Sequence, residues 1–160
     1  MTHRLVTFAV ILVALILVHA DAFAQRAPAC DSTIVVDSRL ADSMDVRAQF
    51  RDWIPPNAKI ELLFDWPRPT NRTTVSRELV RNYPRHLRNR GLGGEVHLAL
   101  VLDTTGAVSA RKLIRSSEYP ELDRGAAAVV SALRFDPVRI EPGCAVPVLL
   151  RMPIVFRSGK

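Results

Sequence analysis

Histidine and cysteine are nearly missing from this sequence, which has four of the first and two of the second. Past the apolar N-terminus only His86 and His97 remain, and neither stands with a cysteine or carboxylate at metal-ligand spacing, so no metal site is indicated. His97 alternates with apolar neighbours and is expected on the solvated side of a strand. Ser116 and Ser117 have no nearby histidine or acid to activate them as nucleophiles. Gly91-Leu-Gly-Gly94 has no following lysine and precedes a strand, so it reads as a turn and not a phosphate cradle. Glu118, Glu121 and Asp123 fit acids at a helix N-terminus better than a general acid/base pair. Aromatic residues are few, with two Trp, two Tyr and six Phe, and the arginines are scattered instead of gathered with them. That pattern argues against nucleic acid as a partner. The sequence supports no enzyme and no cofactor.

What is present begins with an apolar run, Leu5 to Val18, after a short basic start. Ala22 and Ala24 follow at the small-x-small spacing of a signal-peptidase site, which predicts a signal peptide over residues 1–24. The run is shorter than the roughly 18–20 residues of a spanning helix, and an uncleaved anchor is the competing reading. Cys30 follows Ala-Pro-Ala instead of ending the apolar run, so a lipoprotein reading fails. Export to an oxidising compartment permits a bridge between Cys30 and Cys144, the alternative being two unpaired thiols. Such a bridge closes a loop worth about 4–5 kcal/mol in the chain-entropy model. The formal charge of +6 is compatible with anionic lipid or acidic partners, or with an arginine-rich composition alone.

Residues 25–78 read as an N-terminal extension with one helix and one strand. Asp37 to Trp53 carries Leu40, Met44 and Phe50 near helical spacing, with Asp37 as N-cap and Pro55-Pro56 as a stop. Lys59 to Trp66 alternates like a strand, and PRPTNRTT is a loop. Residues 74–90 form a basic helical approach, in which Pro84 suits an N1 position and Gly91 a C′ position. Val96, Leu98, Leu100 and Leu102 share one face of the next strand, and Asp103 to Gly106 is a hairpin turn. The second strand starts at Val108, with a bulge expected near Arg111 where the apolar register shifts to Leu113. Leu122, Ala126, Val129, Val130 and Leu133 make a helical stripe, in which Gly125 costs about 1 kcal/mol of propensity. Val146 to Phe156 is a closing strand whose Pro147 and Pro153 belong at a strand end or edge. The expected fold is α+β: a small antiparallel three-stranded sheet ordered second–first–third, with helices packed on one face.

With these residues placed, the second half, residues 79–157, resembles the C-terminal domain of the TonB family. Tyr83-Pro84, Gly91, Gly94 and Val96 stand at the family's YP-x6-G-x2-G-x-V spacing. Asp103, Gly106 and Val108 match its D-x2-G-x-V turn, and Ser116-Ser117 its strand end. Leu122-Asp123, Ala126, Phe135-Asp-Pro137, Val146-Pro-Val148 and Pro153-Ile-Val-Phe156 follow in order.

The resemblance implies protein binding in the periplasm, in which an extended segment of an outer-membrane transporter or other envelope protein adds to the edge of the sheet beside the closing strand. Carried onto this sequence, the partner-binding residues are Val148, Leu149, Leu150, Arg151 and Met152, with Pro147 and Pro153 limiting the interval. One alternative is a true energy transducer anchored in the inner membrane and coupled to the proton-motive force. Against it, the apolar run lacks serine, no long proline-rich spacer is present, and Arg111 stands where the family favours an apolar residue. Another alternative is a structural envelope domain that self-associates as a homodimer through its edge strand. Membrane contact is expected only if the apolar N-terminus is retained.

Overall fold

The computed structural model describes residue 30, residues 32–140 and residues 143–157. The expected signal peptide at 1–24 lies outside the described residues. Twelve elements follow along the described chain: β1 (Thr33–Asp37), α1 (Ser38–Ala41), α2 (Val46–Gln49), β2 (Lys59–Leu63), α3 (Arg72–Asn82), α4 (Arg85–Asn89), β3 (Gly94–Leu102), β4 (Val108–Arg115), α5 (Pro120–Ser131), β5 (Arg139–Ile140), β6 (Cys144–Ala145) and β7 (Val148–Phe156).

The hairpin forms as its residues dictate. Asp103 Oδ1 accepts from the main-chain N–H groups of Thr105 and Ala107 at 2.8 and 3.1 Å. Gly106 sits at φ 82°, where a side chain is strained, and a Cβ there would also run into the carbonyl of Phe135. The β3–β4 ladder skips Ser109 and Ile114, so two irregularities flank Arg111, which itself pairs regularly with Leu100. The bulge expected near Arg111 thus falls at Ser109, two residues before it, with a second irregularity at Ile114. Pro84 is likewise the N-cap of α4 at ψ 125° and not its first helical residue.

β4, β3 and β7 lie side by side in the expected order, joined by antiparallel ladders. The expectation of a three-stranded antiparallel sheet nevertheless fails. The sheet has five strands in the order β2-β1-β7-β3-β4, and β1 runs parallel to both of its neighbours. The reason lies in Ile34-Val35-Val36, a β-branched triplet that is buried on both faces as a central strand.

Helices on one face are also corrected to helices on both. Even-numbered residues of β3 and β7, with Val35, face α5, where Leu122, Ala126, Val129 and Val130 are buried. Odd-numbered Ala99 and Leu149, with Ile34 and Val36, face a second core made by Leu40, Val46, Phe50 and Ile54 of the N-terminal extension. The single helix expected from Asp37 to Trp53 is two short ones. Asp37 caps α1 through Arg39 N at 3.0 Å, and Asp45 caps α2 through Arg47 N at 3.1 Å. The extension thus completes the same sheet and covers its second face. β2 stops at Leu63, leaving Phe64 exposed and Trp66 half-buried in the loop that follows.

Candidate functional site

β7 is the strand on which the expected partner-binding residues fall, and its two edges are unequal. One edge pairs with β3 along its whole length, from Val148↔Leu102 to Phe156↔Gly94. The other meets β1 only at Val148 and Leu149, which pair with Val35 and Val36. Val148, Leu149 and Leu150 are buried. A strand from elsewhere can reach Val148 and Leu149 only by displacing β1.

Beyond Leu149 the second edge meets no strand among the described residues, and alternation decides what it offers. Pro147 O accepts from Val35 N at 3.0 Å, and Arg151 N donates to Asp37 Oδ2 at 3.2 Å. Odd-numbered residues of β7 therefore turn their main-chain groups away from β3. Arg151 has its N–H taken by Asp37, and Pro153 has none. Among the described residues, the edge from Arg151 to Phe156 presents the carbonyls of Arg151, Pro153 and Val155 and a single free N–H, that of Val155. It accepts far more than it donates.

Cys30 and Cys144 form a disulfide, with Cα atoms 6.4 Å apart and a sequence separation of 114. Thr33 N donates to Cys30 O at 3.0 Å, so the bridge ties the start of β1 to the hairpin that leads into β7. The strand covering the first part of the edge is thus covalently tethered beside it.

Behind the edge, Arg151 Nε donates to His97 Nδ1 at 2.8 Å. His97 is buried at 6% exposure, which corrects the expected solvated position, because the N-terminal extension covers this face. With Nδ1 accepting, the ring proton sits on Nε2, which lies 3.0 Å from Glu95 Oε1 outside hydrogen-bonding geometry. Burial pushes the His97 pKa below its usual value, the Arg151 guanidinium adds to this, and Glu95 opposes it.

Along the open edge runs a groove of about 670 Å³, walled by Arg39 and the Phe64–Pro69 loop and floored by Met152 and Pro153. The guanidinium of Arg39 stacks over Trp66 at 4.5 Å from the ring centre. Sequence reading missed this wall. PRPTNRTT carried only loop signals, and nothing in it tells which strand the loop lies against.

Asp123 ties the end of β4 to α5, and it stands beside Ser116 and Ser117, which corrects the expectation that no acid lies near them. Asp123 accepts from Ser116 Oγ at 2.6 Å, Ser117 N at 2.9 Å and Ser117 Oγ at 2.9 Å. Burial raises its pKa, but these hydrogen bonds outweigh it and hold the carboxyl below its usual range. Asp103 is held low chiefly by the hydroxyl of Thr105. Among the described residues no group of three or more His, Cys, Asp or Glu can hold a metal ion, and no helix is long and apolar enough to cross a membrane.

Residues 80–158 match the family described as Gram-negative bacterial TonB protein C-terminal. The solution structure of the Pseudomonas aeruginosa TonB C-terminal domain is 24% identical, over 49% of this chain and 78% of that one, at a TM-score of 0.42. The TonB2 protein from Vibrio anguillarum is 20% identical, over 49% and 74%, at 0.40. A Helicobacter pylori TonB C-terminal domain is 20% identical, over 55% and 80%, at 0.38. No curated protein matches the chain. The motif spacing from Tyr83 to Phe156 and the family match agree, and residues 80–158 belong to the TonB C-terminal domain family.

Proposed function

We propose that this protein is a non-enzymatic periplasmic binding domain that captures an extended segment of an outer-membrane transporter by strand addition along β7. The family's domains interact with such transporters. The observation that carries the reading is the open stretch from Arg151 to Phe156, an unpaired main-chain edge beside a groove. The interval Val148–Met152 is the register inherited from the family resemblance. β1 covers its first two residues, which favours a register shifted toward Phe156. The carbonyls of Arg151, Pro153 and Val155 accept from the added segment, which supplies the donors.

The test is a titration of isotope-labelled protein with peptides from transporter N-termini. Amide shifts concentrated at Met152 to Phe156, with Val35 and Val36 unmoved, support the shifted register. Shifts at Val35, Val36, Val148 and Leu149 together mean that β1 is displaced. A protein that ignores every peptide and sediments as a dimer overturns the reading in favour of self-association.

A further inference from the structure

We propose that the groove beside β7 is a subsite for a carboxylate, so that the captured segment is acidic. The inference rests on the reading that β7 receives an extended segment, and it names the chemistry of that segment. Two arginines, Arg39 and Arg68, are among the residues that line the groove. Neither forms an ion pair or a side-chain hydrogen bond among the described residues. Asp65 is the one acid in the lining, and it makes no ion pair there either.

Unpaired guanidiniums at a concave surface select a carboxylate, because the planar fork matches its two oxygens. Arg39 is also held in place by its stacking on Trp66, so less freedom is lost when it binds. Among the described residues the buried Trp66 Nε1 donates to nothing, which leaves an unmet donor in the groove wall. Phe64, 75% exposed, supplies an apolar surface at the rim. The floor at Met152 and Pro153 belongs to the same stretch of β7 whose carbonyls are open. A segment lying along that edge carries its side chains past both arginines. The fit is an extended peptide with Asp or Glu among apolar residues.

The test is a selection of phage-displayed random decapeptides on the full chain with its disulfide intact, in parallel with the Arg39→Gln/Arg68→Gln variant. Binding of the selected peptides is followed by the Trp66 indole N–H and Val155 amide signals. The expected result is enrichment of Asp and Glu on the unaltered protein. Glutamine in place of the acid then weakens binding at least tenfold, and the double variant loses that preference. Peptides that bind at Val155 without acid enrichment overturn the carboxylate subsite and leave strand capture standing. Peptides that move the Trp66 signal through both arginines but leave Val155 still keep the subsite and overturn strand capture. A selection that yields no binder overturns both.

Discussion

The carboxylate of Asp37 accepts the main-chain N–H of Arg151 at 3.2 Å, across 114 residues of chain. The same side chain caps α1 through Arg39 N at 3.0 Å, and it is buried at 5% exposure. One acid therefore ends β1, starts α1 and blocks a donor on the edge of β7. Asp37→Ala removes both bonds, with an expected loss of about 1–2 kcal/mol in urea unfolding. The Arg151 amide should exchange faster with deuterium in that variant, while amides of β4 keep their native rates. Equal exchange at Arg151 in the two proteins would rule out the cap.

The disulfide makes a separate contribution. Replacing Cys30 and Cys144 by serine frees a loop closed across a sequence separation of 114 in the unfolded chain. The expected loss is up to about 4–5 kcal/mol in the chain-entropy model. Because the bridge sits at the start of β1, exchange should rise first at Ile34 to Val36 and least in α5. A double-serine variant as stable as the parent, with β1 still protected, would show that packing alone holds the strand.

The C-terminal half of this fold was legible because its signals are local. Asp103 with Gly106 makes a turn, and Val96 to Leu102 alternates over one core. Leu122 to Val130 is a stripe at helical spacing. β1 was not legible for the opposite reason. Ile34-Val35-Val36 is too short to show a period, and its partners Ile60 and Val148 lie far along the chain. Missing β1 also hid the second core, and with it the burial of His97. The closing strand was placed correctly as a strand, but its edge cannot be read without knowing its neighbour. The groove depends on where the Phe64–Pro69 loop comes to rest, which is set by β2 pairing with β1.

His97 gives the fold a pH dependence whose direction follows from its environment. Burial and Arg151 keep the folded ring neutral below the usual value of 6.5, while the unfolded chain takes up its proton near that value. Between the two values the unfolded state binds more protons, so stability falls as pH drops through that window. The contribution is fully present above about 6.5. Protonation also puts a hydrogen on Nδ1, which then no longer accepts from Arg151 Nε. Urea midpoints at pH 7.5 and 5.5 should differ in the parent and converge in His97→Gln. An unchanged difference in the variant would assign the dependence to other groups.

Pro153 offers the sharpest test of the edge itself. It faces away from β3 at the centre of the open stretch, where any other residue would present an N–H. Natural edges are commonly blunted in this way, since an unpaired row of main-chain groups also recruits unwanted strands. Pro153→Ala restores one donor beside the free N–H of Val155. One added hydrogen bond is worth about 0.5–1.5 kcal/mol, a gain of roughly two- to tenfold in affinity for a strand that pairs there. Two measurements read it: peptide affinity by titration, and the sedimentation coefficient of the protein alone as its concentration rises. Tighter peptide binding with the protein still monomeric means that the groove selects its occupant. Concentration-dependent dimers mean that Pro153 guards the edge against the chain's own copies. If neither quantity changes, the stretch from Arg151 to Phe156 is not where strands add, and the partner's place lies under β1.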